Sequence, residues 1–138
     1  MNYRSATLSD ASMLTGMNVE LIRDEGHRNP MSEAELLVRM TGWLAGECQA
    51  ILFEDHDGPG GYALFRRETE WVYLRQFFVA PARRRQGVGR AAILWLLENV
   101  WRDETRIRLE VLTGNSVAID FWRSLGFADY CLTMEWAR

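Results

Sequence analysis

Lysine is absent from this chain: all sixteen basic side chains are arginine. The protein therefore offers no lysine amine of its own to an electrophile. Cysteine is scarce. Cys48 and Cys131 are too isolated for a disulfide framework. His27 and His56 make no metal-ligand spacing with them, so no metal is expected. Long apolar runs are missing, and the first residues lack a signal-peptide core. The expectation is a reduced, cytoplasmic setting with no membrane partner. Excess positive charge is missing too: the net charge is −3 and the pI near 5.4. That argues against a general nucleic-acid binder.

What is present fits one globular domain over residues 1–138, with 48% hydrophobic residues to build a core. Against the acidic background, arginines gather at Arg83, Arg84, Arg85 and Arg90. Such a local cluster suits a small anionic ligand better than a polyanion. The run Arg84-Arg85-Gln86-Gly87-Val88-Gly89-Arg90 lies between a strand-like segment, Leu74 to Val79, and an apolar helix pattern, Ala91 to Val100. Two glycines spaced by one residue at a helix start leave backbone N–H groups uncovered. Those donors and the positive end of the helix dipole suit a phosphate or pyrophosphate. The run is neither a Walker loop nor a full dinucleotide fingerprint. By itself it reads equally well as a plain helix start with a solvated basic stretch.

The periodicity predicts the order β-α-α-β-β-β-α-β-α-β. Strands are expected at Asn2 to Leu8, Ala50 to Glu54, Tyr62 to Phe65, Trp71 to Val79, Arg106 to Leu112 and Tyr130 to Trp136. Ser9-Asp10 predicts one N-cap and Ser32 to Glu35 a capping box. Asp57 to Gly61 predicts a hairpin turn, and Gly126 the end of the last helix.

This order and three motifs resemble the GNAT superfamily of acetyl-CoA-dependent N-acetyltransferases. The motifs are Val79-Ala80-Pro81 with Arg84-x-x-Gly87-x-Gly89, then Leu109-Glu110-Val111 through Asn115, then Ala118-Ile119 with Phe121-Trp122-x-x-Leu125-Gly126-Phe127. The resemblance implies an α/β fold. Its mixed, mostly antiparallel sheet would have six to seven strands, splayed between strands 4 and 5, with helices on both faces. It implies acetyl-CoA as cosubstrate, a primary amine as acceptor and direct attack. The amine could be a small molecule, an amino acid or a protein or peptide terminus. Dimerisation is compatible with the sequence, which marks no interface.

By position, the resemblance assigns pantetheine to the backbone of Phe78 and Val79. It assigns the pyrophosphate to the stretch Arg84, Arg85, Gln86, Gly87, Val88, Gly89 and Arg90. Asn115 stands where the family contacts the pantetheine arm, and reads otherwise as a helix-capping asparagine. Trp122 occupies the place of a tyrosine that protonates the departing thiolate in many members. An indole is a poor acid, and a core role is the plainer reading. Glu110 matches a glutamate base in the branch that acetylates protein N-termini. It also reads as a strand carboxylate bridged to Arg75, Arg106 or Arg108. Tyr73 and Arg75 stand where other members place a base, and neither is one at neutral pH. Glu25 and His27, between the first two helices, are candidate acceptor contacts or a solvated loop. These departures also motivate a non-catalytic alternative, an acyl-CoA sensor or partner-binding module.

Overall fold

The computed structural model describes residues 1–26 and 28–138. Strands β1 (Asn2–Ser5), β2 (Cys48–Asp55), β3 (Gly58–Arg67) and β4 (Val72–Val79) pair successively and antiparallel. Strand β5 (Ile107–Arg108) joins β4 in parallel, so the open sheet runs β1-β2-β3-β4-β5. Helices α1 (Ala11–Glu25) and α2 (Glu33–Ala45) lie on one face, and α3 (Val88–Asn99) and α4 (Ser116–Ser124) on the other. No helix among the described residues is long and apolar enough to cross a membrane.

Local chemistry accounts for most boundaries. The capping box of α2 forms both ways: the Glu35 N–H donates to Ser32 Oγ at 3.2 Å, and the Ser32 N–H to Glu35 Oε1 at 2.9 Å. Leu36 and Met40 then recur at helical spacing and are buried. Asp10 is the N-cap of α1, within the expected Ser9-Asp10, but its side chain does not cap that helix. A 3-10 turn over Leu8–Asp10 precedes it, and Asp10 turns its carboxylate back to the Thr7 N–H at 2.8 Å and the Arg4 guanidinium at 2.9 and 3.0 Å. The first hairpin is also tighter than expected. The Asp57 N–H donates to Asp55 Oδ1 at 2.9 Å, and this Asx turn lets β3 begin at Gly58.

Each face of the sheet has its own core. Leu14, Met17 and Leu21 of α1 and Met40 of α2 pack on Leu52, Tyr62, Leu64 and Phe78. On the other face Ala92, Ile93 and Leu96 of α3, with Trp101 and Trp122, pack on Phe53, Phe65 and Leu74. A register shift between Leu64 and Phe65 pairs Leu64 with Gln76 and Phe65 with Leu74. Arg75 is therefore the extra residue of a β-bulge in β4.

The expected six to seven strands are five among the described residues. Strand β5 keeps only Ile107–Arg108 of the predicted Arg106 to Leu112. Beyond the Tyr73↔Arg108 pair the chain diverges from β4, so Leu109 to Leu112 find no ladder there. The predicted last strand, Tyr130 to Trp136, pairs with nothing among the described residues, and residues 128–138 are exposed throughout. Strand-like alternation is present there, but no neighbouring edge receives it.

Candidate functional site

The loop between β4 and α3 is built to leave donors free. After a 3-10 turn at Pro81–Arg83, Arg85 takes φ +61° and Gly87 φ +76°. These left-handed residues turn the backbone out of a regular helical ladder before α3 begins. From Arg85 to Arg90 no backbone N–H makes a close, well-aligned hydrogen bond to another backbone group among the described residues; the first donor of α3 to do so is Ala91, onto Gly87 O at 2.9 Å. No side chain caps the helix. The result is a row of N–H groups at a helix N-terminus, a concavity suited to an anion. Gly89 has a different reason to be glycine: a Cβ there would lie 3.2 Å from Cζ of Phe121 and 3.4 Å from Cγ2 of Val79. Its absence lets α3 sit close against β4 and α4.

The arginines divide into two kinds. Arg83 forks onto Asp55 at the β2–β3 turn and anchors the loop's entry. Arg84 donates to Val79 O at 2.8 Å and Asp24 of α1 at 2.5 Å, so its guanidinium is occupied by the protein itself. Arg85 and Arg90 are exposed and meet no carboxylate among the described residues. Gln86 caps Ala82 O through its side-chain amide at 3.0 Å.

Beside this loop lies the open edge of β4, unpaired with β5 beyond Tyr73. The Ala80 N–H donates to Gly60 O at 2.8 Å, toward β3. Strand alternation then directs the backbone of Phe78 toward β3 and that of Val79 into the splay. The occupied Val79 carbonyl agrees, since Arg84 reaches it from the open side. Val79 thus presents its N–H there, and the backbone groups of Phe78 belong to the sheet.

Asn115 is the N-cap of α4, its Oδ1 accepting from the Ala118 N–H at 3.2 Å. Trp122 is core: it meets Phe77, Phe121 and Phe127 edge-on at centroid distances of 5.3, 4.9 and 5.2 Å. Glu110 is exposed and bridges none of the arginines suggested by sequence. Its partner is the Tyr73 hydroxyl, which donates to Oε1 at 2.7 Å. Burial and this bond to an anion push the Tyr73 hydroxyl up to about 12, so it stays a donor at neutral pH.

The α2-facing side of β4 holds a group that sequence reasoning missed. Arg39 and Arg75 each lie 4.4 Å from the Trp43 ring centroid. Arg39 and Trp43 are four residues apart on one helix, a spacing at which cation and ring meet, and that was the available signal. Arg39 donates to Asn18 Oδ1 at 3.2 Å, and Tyr62, fully buried, donates to Gln76 at 2.7 Å. Desolvation first, and repulsion from Arg75 second, lower the Arg39 pKa. Glu25 closes α1, within electrostatic range of Tyr62. His27, expected beside it, lies outside the described residues. Cys48 is buried and its thiol pushed up by burial, whereas Cys131 is exposed. One set of possible metal donors occurs among the described residues, Asp55, His56 and Asp57, and Asp55 is already committed to Arg83.

Comparison with known proteins adds the following. The family model described as the acetyltransferase (GNAT) family matches residues 18–127. No curated protein matches the chain. Among solved structures, a single-site mutant of the BH1408 protein from Bacillus halodurans superposes with a TM-score of 0.83 at 22% identity, covering 100% of this chain and 99% of the other. A predicted acetyltransferase from Clostridium acetobutylicum, solved with acetyl-CoA, gives 0.77 at 20% identity over 99% and 95% of the two chains. The aminoglycoside N-acetyltransferase AAC(6')-Iy, in complex with CoA, gives 0.78 at 14% identity over 99% and 93%. These likenesses establish a shared fold.

Proposed function

The chain belongs to the acetyltransferase (GNAT) family, and from that premise we propose that it moves an acetyl group from acetyl-CoA to a primary amine by direct attack. The observation that carries this is the row of N–H groups from Arg85 to Arg90 beside the open edge of β4. That row would hold the pyrophosphate, with Arg85 and Arg90 adding exposed charge. The β4 edge at Val79 would hold the pantetheine arm as an added strand. When bound, acetyl-CoA supplies a thioester whose C–S bond breaks as the N–C bond forms, the electron pair leaving on sulfur.

The residues of the chain then have distinct tasks. Glu110 accepts a proton from the acceptor ammonium, directly or through one water, and so frees the nitrogen lone pair. Tyr73 fixes the Glu110 carboxylate by its 2.7 Å hydrogen bond. The Val79 N–H polarises the thioester carbonyl. Trp122 protonates nothing; a thiolate with a pKa near 8.5 leaves without a dedicated acid. Cys48 and Cys131 take no part, because no covalent enzyme intermediate is needed.

The test has two stages. Calorimetry should show acetyl-CoA binding, and no binding at millimolar coenzyme overturns the reading. Thiol release is then followed across a panel of amines, peptides and arylamines. Binding without release from any member would favour the non-catalytic acyl-CoA module, for which the indole at Trp122 is the supporting observation.

A further inference from the structure

We propose that the acceptor amine also carries a carboxylate, held by Arg75 and Arg39 beside Trp43 while its nitrogen faces Glu110. This deepens the acetyl-transfer reading and rests on it. The cluster around Trp43 holds two buried donor atoms without acceptors, although Arg39 also donates to Asn18 Oδ1 at 3.2 Å. Asn18 is fully buried, and its Nδ2 has no partner; Arg39 Nε is buried and has none either. Neither Arg39 nor Arg75 meets a carboxylate at ion-pair distance among the described residues, whereas Arg66 close by is neutralised by Glu68 at 2.5 Å. A guanidinium stacked on an indole keeps its edge N–H groups free to fork onto a planar anion. Buried donors left unmatched are costly, and an anion is the group that satisfies several at once.

The bulge supplies the geometry. It sets Arg75 over Trp43, while Gln76 takes the Tyr62 hydroxyl. Tyr73, two residues earlier on β4, holds Glu110. Glu110 therefore shares this side of β4 with Arg39 and Arg75, beside the Arg66–Glu68 pair and with Glu25 in electrostatic range of Tyr62, and a carboxylate near Arg75 with an ammonium near Glu110 complements that arrangement.

The experiment uses the full chain, acetyl-CoA and matched amine pairs: phenylalanine with phenethylamine, leucine with isopentylamine, and phosphoethanolamine as a phosphate-bearing control. The expected result is a kcat/KM on the order of tenfold or more higher for the carboxylated member. Arg75→Gln, at an exposed position, should erase that preference and leave acetyl-CoA affinity unchanged. Equal or better turnover of the decarboxylated members overturns the proposal, as does an equal loss for both members in Arg75→Gln. Preference for phosphoethanolamine overturns the carboxylate assignment. If acetyl-CoA binds and no amine releases thiol, the acetyl-transfer reading fails separately. Calorimetry of the same amines on the CoA-loaded protein then decides the site: Arg75-dependent binding of the carboxylated members upholds it, and no binding overturns it.

Discussion

In the proposed function, the two sides of the β4 splay would recognise their ligands by different means. On the α3 side the binding groups are backbone N–H donors from one continuous stretch, Arg85 to Arg90, and side chains mainly shape the loop around them. On the α2 side the groups are side chains drawn from three elements and the segment after β5: Asn18, Arg39 and Trp43, Tyr73 and Arg75, and Glu110. Backbone donors can be set only by conformation, which glycines and left-handed residues impose over a few successive positions. Side-chain sites can be assembled from anywhere the fold brings together. The proposed donor side would thus be constrained in sequence, and the proposed acceptor side would be free to vary without disturbing the coenzyme.

Substitution at Gly89 breaks this contrast most severely. A β-branched side chain there would have to occupy space 3.2 Å from the Phe121 ring, between α3, α4 and β4. Relief requires the helix start to move away, and with it the N–H row. Overpacking of this kind costs about 1–3 kcal/mol in stability. Gly89→Val is expected to abolish measurable acetyl-CoA binding by calorimetry in a protein that still unfolds cooperatively. Coenzyme affinity within a few-fold of wild type would show that the row is not the pyrophosphate site.

The next effect belongs to the acceptor side alone. Glu110→Gln keeps the shape and the Tyr73 contact but removes the base. General-base catalysis typically contributes 10²–10⁴-fold, so kcat should fall by about 10²-fold with acetyl-CoA affinity unchanged. Tyr73→Phe should cost less, since it only frees the carboxylate to wander. An unaltered kcat and pH–rate profile in Glu110→Gln would remove Glu110 as base. Equal losses in coenzyme affinity would mean that the two sides are not separable.

The same distinction explains what could be read from sequence. The glycine run, the α2 capping box and the Asn115 cap are local patterns with local physical causes, and the structure has the corresponding elements in order, whereas Glu110, expected in a strand, lies beyond β5. Arg39, Trp43 and Arg75 were not legible as a group, because their meeting depends on a bulge that adds one residue to β4. The failure at Tyr130 to Trp136 has another origin. Alternation reports that a segment can be a strand with one apolar face, but pairing requires an edge, and no strand among the described residues pairs with it. Arg84 misleads for the same reason: its charge is visible in sequence, whereas its commitment to Val79 and Asp24 is tertiary.

The smallest expected effect compares how each side is anchored. Asp10 ties the start of α1, on the acceptor side, to Arg4, and Asp55 ties the loop before the N–H row to Arg83. Hydrogen bonding to the guanidinium is the main cause that holds each carboxyl near 2, below its ordinary 3.8. A folded value below the unfolded one means that the bound form is the ionised form. The stability each pair adds is fully present above about pH 4 and is lost as pH falls through about 2. Asp10 is buried and Asp55 is not, so Asp10→Asn should lower the Tm by roughly 4 °C at neutral pH and Asp55→Asn by less. Both variants should flatten the loss of Tm on acidification. Only Asp55→Asn should also weaken acetyl-CoA, by a few-fold, because only that pair steadies the donor loop. A coenzyme loss in Asp10→Asn as large as in Asp55→Asn would show that the two anchors act through one shared framework.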